Sequence, residues 1–266
     1  MALLRYVKSP EQLAAAADGT KEFLSSKVRS VRIIYETDPA IAKAVTPKPL
    51  TPTDKPEVSV TFSHVAMQIT PDYTFEIGSV VLGTRVAYEG IEGMYLVHMA
   101  MTAEAAVVGG RETFGEPKKI ADIDFSNDDG AVHAKVARMG MPYLEFRGQT
   151  GKSSGPRQFT EYGYCYKAFP SCDPDKAFDN DPILVRLEWK HNHDVVCELD
   201  GELSLHDSPL DPVADIPVRR IVSMQYEEGT SESNGRVLRS VPGEWILPFL
   251  HGRYDDMSGS GIEIAV

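Results

Sequence analysis

Two adjacent lysines, Lys118 and Lys119, sit in a setting that suits amine chemistry. Pro117 fixes the backbone just before Lys118, and Gly115 lets the chain turn and come close to a neighbour. Gly109, Gly110, Arg111 and Glu112 lead into the pair. The flanks are apolar, with Ala105, Ala106, Val107 and Val108 before and Ile120, Ala121, Ile123 and Phe125 after. Most lysine pairs are solvated surface groups. A lysine held rigidly in an apolar wall differs, because desolvation disfavours an ammonium and leaves an amine able to attack a carbonyl. The iminium so formed is an electron sink for the carbanion left when a bond β to the carbonyl breaks. From a 3-keto acid the departing group is CO2; from a β-hydroxy ketone it is an aldehyde.

The two lysines need not share a role. Adjacent residues on an extended chain point to opposite faces. If this segment is a strand, Lys119 is placed to pair with an acid on the far side, and it supports Lys118 only indirectly.

Other groupings carry less. His191-Asn192-His193-Asp194 could suggest a metal, but asparagine and aspartate are turn formers, and no third ligand has suitable spacing nearby. The segment reads as a hairpin turn, and no metal is expected. Gly109, Gly110 and Gly115 do not make a phosphate loop, since the strand–Gly-x-Gly-x-x-Gly–helix order is missing. Cys165, Cys172 and Cys197 are too few and too irregular for a disulfide framework.

The chain has 266 residues, 42% of them hydrophobic and 25% charged, which fits a globular protein with a substantial core. A net charge of −12 without any Lys/Arg run argues against a nucleic-acid partner. No stretch approaches the ~20 apolar residues of a membrane span, and the first residues lack a signal-peptide core. A cytoplasmic protein is expected.

The elements that must hold Lys118 are mostly strands. Residues 28–35, 57–69, 73–86, 94–100, 121–125, 131–139 and 143–148 read as strands, with a turn at Asn127-Asp128-Asp129-Gly130. Residues 183–189 and 195–205 read as a hairpin closed at 191–194, and 218–227 as another strand. Residues 151–156 and 230–235 read as loops. Helices are expected within 10–26, from Asp38-Pro39 to Val45, and from Thr102 to about Gly109. The result is an α+β chain dominated by antiparallel β structure, in one domain over residues 1–266 with a helical extension at 1–27.

Gly110-Arg111-Glu112, four residues, then Pro117-Lys118-Lys119 resembles the active-site segment of the acetoacetate decarboxylase family. Tyr35-x-Thr37-Asp38, a short helix and then Pro47-x-Pro49-Leu50 resembles the same family upstream. The resemblance implies a cone-like β-barrel with peripheral helices. It implies Lys118 as the Schiff-base lysine and Lys119 as its neighbour, Glu76 as an active-site acid/base, and a C-terminal tyrosine at Tyr254. It also implies a homo-oligomer acting on a small keto acid without a cofactor. Arg111, Glu116 and Ser63 are supporting candidates. The chain departs from the family in two places: Val28 stands where an arginine is expected, and Ser63 where a second glutamate is expected. These departures put decarboxylation of acetoacetate itself in question. Aldolase, dehydratase or hydratase-aldolase chemistry on pyruvate-type keto acids is the alternative, and a non-catalytic binder of small molecules is a further one.

Overall fold

A computed structural model describes residues 3–19, 24–70 and 73–266. Helix α1 (Pro10–Gly19) is followed by strand β1 (Leu24–Glu36), helix α2 (Pro39–Ala44), the short β2 (Thr51–Pro52), and the long antiparallel run β3 (Glu57–Thr70), β4 (Tyr73–Tyr88) and β5 (Ile91–Met101). Helix α3 (Glu104–Phe114) leads to the three-residue β6 (Lys118–Ile120). Strands β7 (Asp122–Asp128), β8 (Ala131–Arg138), β9 (Met141–Ser153), β10 (Arg157–Lys167), β11 (Ile183–Leu205) and β12 (Arg220–Ser240) complete the sheet. A last helix, α4 (Gly243–Ile246), and a 3-10 turn (Leu247–Arg253) follow the sheet.

Seven strands close on themselves in the order β10-β5-β4-β3-β1-β12-β11, with β11 pairing back to β10. This is a barrel. Strand β11 is long enough to leave it: its first half pairs with β10 and its second half with β9, carrying a second layer β9-β8-β7. That layer folds over the outer face of β1, β3 and β4. Val31, Ile33, Tyr35, Val58, Val60, Phe62 and Leu82 meet Val132, Val136, Tyr143, Leu144 and Phe146 in the main core. Because strand side chains alternate, the residues between them, such as Ser30, Arg32, Thr61 and Ser63, are directed into the barrel. The fold is thus α+β and mainly antiparallel, a β-barrel with few helices.

Several local expectations change. The 191–194 segment is not a turn: β11 runs unbroken through it, with a bulge between His193 and Val195. The cross-strand partners Ser231 and Gly229 on β12 keep it extended, and they also turn the expected 230–235 loop into strand. The expected 151–156 loop is strand up to Ser153. Not anticipated from the sequence is β10. The N-terminal helix is described over Pro10–Gly19; residues 20–23 of the expected helical stretch lie outside the described residues, and Leu24 to Ser26 belong to β1 rather than to a helical extension through residue 27. Between Leu82 and Gly83 the pairing of β4 with β5 shifts register. Asp129 and Gly130 adopt positive φ in the 127–130 turn, as that sequence predicts.

Candidate active site

Helix α3 begins later than Thr102 predicts. Thr102 Oγ1 accepts the Gly78 amide at 2.9 Å, tying β4 to the approach of the helix instead of capping it. The helix ends at Gly115, whose left-handed backbone (φ 78°) returns two amides to Arg111 and Gly110 carbonyls. Gly115 also lies against the backbone of Tyr166 and Lys167, where a side chain would not fit. The chain then enters β6, which pairs in parallel with β5 through Met99 and Lys118.

Strand geometry separates the lysines. Lys118 enters the barrel, with its side chain 14% exposed, and its Nζ is 2.7 Å from Oε2 of the buried Glu116. Gly110 packs directly on this pair: a Cβ there would lie 2.7 Å from Nζ and collide with the Glu116 carboxylate. Lys119 faces the other way. Its Nζ donates to the Leu210 carbonyl at 2.9 Å and pairs with Asp211 at 3.2 Å and Asp255 at 3.3 Å. Arg138 holds the same two carboxylates. Its acidic partners therefore hold the Lys119 charge outside the barrel. His98 joins this network, 2.8 Å from the Tyr143 hydroxyl. Burial pushes His98 down to about 4, against the pull of Asp211.

The C-terminal segment locks β6 in place. The Arg111 guanidinium donates to the carbonyls of Lys118 and Arg253, each at 3.0 Å. Arg253 donates to Gly115 O at 2.9 Å and to Tyr166 O. The Arg111 guanidinium carbon lies 5.0 Å from the centre of the Tyr254 ring, which is 37% exposed. Arg111 and Tyr254 thus meet each other behind the lysine and do not line the cavity.

The barrel interior is a cavity of about 650 Å3. Lys118 and Glu116 form part of one wall; Val28, Ser63 and Ser79 lie on others. Ser63 Oγ is 2.8 Å from Ser30 Oγ. A bulge in β5 lets Met94 and Leu96 and then Met99 and Met101 all face inward, while His98 turns out. Glu76 is not brought into the cavity. Its neighbour Ile77 lines it, so alternation turns Glu76 outward, 63% exposed and 3.6 Å from His64.

An ionic group unforeseen in the sequence closes part of the lumen. Arg32 donates to both oxygens of Glu161, at 2.9 and 3.0 Å, and its Nε lies 3.2 Å from Glu227. Arg157 also pairs with Glu227. Burial, the largest single influence, would raise the Glu161 carboxyl; Arg32 and His191 together outweigh it and bring Glu161 to about 2. Phe159 stacks on His191, with ring centres 4.6 Å apart. The signal for Arg32 was its parity with Val28 and Ser30 on β1, opposite Val31 and Ile33. Glu161 and His191 had no such signal until the pairing of β10 and β11 was known. Among the described residues, no group of three or more His, Cys, Asp or Glu could hold a metal ion. Among them, no helix is long and apolar enough to cross a membrane.

The family model for acetoacetate decarboxylase matches residues 7–241. The chain belongs to the acetoacetate decarboxylase family. Family membership sets a coarse class, a lyase-type enzyme. An acetoacetate decarboxylase of Chromobacterium violaceum is 28% identical over 214 residues, covering 73% of this chain and 78% of the relative. The acetoacetate decarboxylase of Legionella pneumophila superposes with a TM-score of 0.69 at 19% identity, over 82% of this chain and 88% of that one. The enduracididine biosynthesis enzyme MppR, complexed with the condensation product of pyruvate and imidazole 4-carboxaldehyde, gives 0.69 at 16% identity, over 82% and 89%. At these identities the two structures speak for the family's fold. Within that fold, this member's barrel holds a lysine–glutamate pair at 118 and 116, and serines at 30, 63 and 79.

Proposed function

We propose that this protein is a carbon–carbon lyase that forms a Schiff base between Lys118 and a keto substrate, with Glu116 as the proton partner. The observation that supports it is the 2.7 Å approach of Lys118 Nζ to buried Glu116 inside the lumen. Glu116 takes a proton from the ammonium. The Nζ lone pair attacks the carbonyl carbon; the C–N bond forms, and the oxygen receives a proton to give the carbinolamine. Loss of water leaves the iminium. The bond β to it then breaks and its electron pair moves to nitrogen; CO2 departs from a carboxylate, or an aldehyde departs as the β-hydroxyl gives its proton to Glu116. Glu116, reprotonated by water where CO2 has left, protonates the enamine carbon, and hydrolysis returns the lysine. Glu76 and Tyr254 lie outside the cavity and take no step in this scheme.

A second reading, aldol-type addition or cleavage on a pyruvate-like keto acid, is favoured by the wall opposite the lysine. Val28, Ser30 and Ser63 are neutral, and the cavity's other cation, Arg32, is already matched by Glu161 and Glu227. MppR, bound to a condensation product of pyruvate, supports the same reading by analogy. The family resemblance also supports a homo-oligomer, which light scattering on the purified protein tests; sequence composition supports one domain and a cytoplasmic setting.

The test is borohydride trapping. The protein is incubated with acetoacetate or with pyruvate and reduced, and the adduct is located by peptide mass spectrometry. An adduct at Lys118 is expected. CO2 release from acetoacetate supports decarboxylation, and trapping by pyruvate without CO2 release supports the aldol reading. No adduct at Lys118 with either ketone overturns the iminium scheme and leaves a non-catalytic binder.

A further inference from the structure

The lumen is larger than a small keto acid needs. At about 650 Å3 it falls among sites that hold drug-sized ligands, whereas a four-carbon keto acid displaces roughly 120 Å3, about four waters' worth. The excess space has a defined character. Met67, Met94, Met99, Met101, Phe114 and Trp189 line it. Thioethers are polarizable, adapt their shape and make favourable contacts with ring edges. This lining suits an aromatic body better than a row of hydroxyls.

The lumen also has two polar poles. Arg32, Thr61, Val81, Met99 and Lys118 form one continuous cross-strand row from β1 to β6. In a closed barrel, that many strands of separation place Arg32 on the wall facing Lys118. Beside Arg32 stand Glu161 and His191. His191 Nε2 is 3.5 Å from Glu161, too far for a good hydrogen bond, and both imidazole nitrogens are buried without a hydrogen-bond partner. Charges at this pole are already matched, Arg32 by Glu161 and Glu227 and Arg157 by Glu227. A second carboxylate or an ammonium on the substrate would disturb that match. A hydroxyl, which both donates and accepts, suits a carboxylate and an imidazole side by side.

We propose that the substrate is a carbonyl compound with an aromatic body and a neutral hydroxyl at its far end, the carbonyl at Lys118 and the hydroxyl between Glu161 and His191. The proposal rests on the Schiff-base reading for the carbonyl end only. Binding of the body and the terminus is a property of the lumen.

Two readouts keep the ideas apart. The first is the half-saturating concentration for borohydride trapping at Lys118 with acetone, benzylacetone and para-hydroxybenzylacetone. The second is quenching of Trp189 fluorescence in a Trp245→Phe background by the corresponding alcohols, which cannot condense. From acetone to benzylacetone the concentration should fall at least about tenfold. The para-hydroxyl should lower it about fivefold more, and His191→Leu should abolish that second gain. Glu161→Gln should do the same if it folds; the histidine variant leaves the Arg32 ion pairs intact and decides the matter. If all three ketones trap at equal concentrations, the proposal is overturned while the Schiff base stands. If no ketone traps but the alcohols quench in the expected order, the Schiff base falls while the proposal stands. Alcohols that do not quench, or quench without order, overturn it.

Discussion

Replacing Gly110 by alanine separates the geometry of the lysine from the stability of the fold. Inside an exposed helix the change would gain about 1 kcal/mol. Here the new methyl would lie 2.7 Å from Lys118 Nζ and 2.6 Å from its Cδ, and would overlap Glu116 Oε2. These are the ends of flexible side chains, so they can move aside while the backbone stays. Restoring ordinary contact requires a shift of roughly 1 Å, a misplacement that can cost about a hundredfold in rate. Gly109 is the control: it lies in the same helix, and a methyl there meets nothing within 4 Å. The assay is the rate of borohydride-trapped adduct at Lys118, beside thermal melting of both variants. Gly110→Ala should melt at or near the parent temperature and trap about a hundredfold more slowly. Gly109→Ala should trap within about threefold of the parent. A folded Gly110→Ala that traps at the parental rate would refute the claim that this contact positions the amine.

Other outcomes follow from the same geometry. Glu116→Gln should still form some adduct but lose about 10²- to 10⁴-fold in turnover, read by product release under saturating substrate. Glu76→Gln, on the outer face, should leave kcat/KM within about twofold. Lys119→Met should cost about 2 kcal/mol, less than a fully broken buried pair because Arg138 still holds Asp211 and Asp255, and should lower Tm by about 5 °C. His98 titrates near 6.5 when unfolded and at about 4 when folded. The unfolded chain therefore binds the extra proton between these values. The stability that His98 contributes is complete above pH 6.5 and falls by roughly 3 kcal/mol on the way to pH 4. Urea melts across that window should show the slope, and His98→Gln should flatten it.

The lysine segment was legible because its information is local. Gly115 and Pro117 act within a few residues, and strand parity alone turns Lys119 away from Lys118; of the apolar flanks, Ala105 and Ala106 line the lumen while Val108 and Ile120 are exposed. The strands 57–69 and 73–86 were legible from alternation. What failed depended on pairing. His191 to Asp194 carry turn-forming side chains, yet two flanking strands hold them extended. Glu76 matched a family position by spacing, but which face it takes depends on the register of β4 against β3, where Ala66 is its partner. Glu161 and Arg32 are 129 residues apart, and nothing in either segment announces the other.

The ring of strands closes through β1 and β12, and the Arg32–Glu227 contact across that seam joins residues 195 positions apart. During synthesis the first side of the barrel therefore waits for nearly the whole chain before it finds its neighbour, and contacts of such long range form slowly. Until then Lys118 has no lumen around it, and the Arg253 and Asp255 that fix its strand have not yet been made. The Lys118–Glu116 pair is thus assembled last. A nascent chain carries Lys118 as a side chain in open solvent, and the amine chemistry proposed for it becomes available only when the seam shuts.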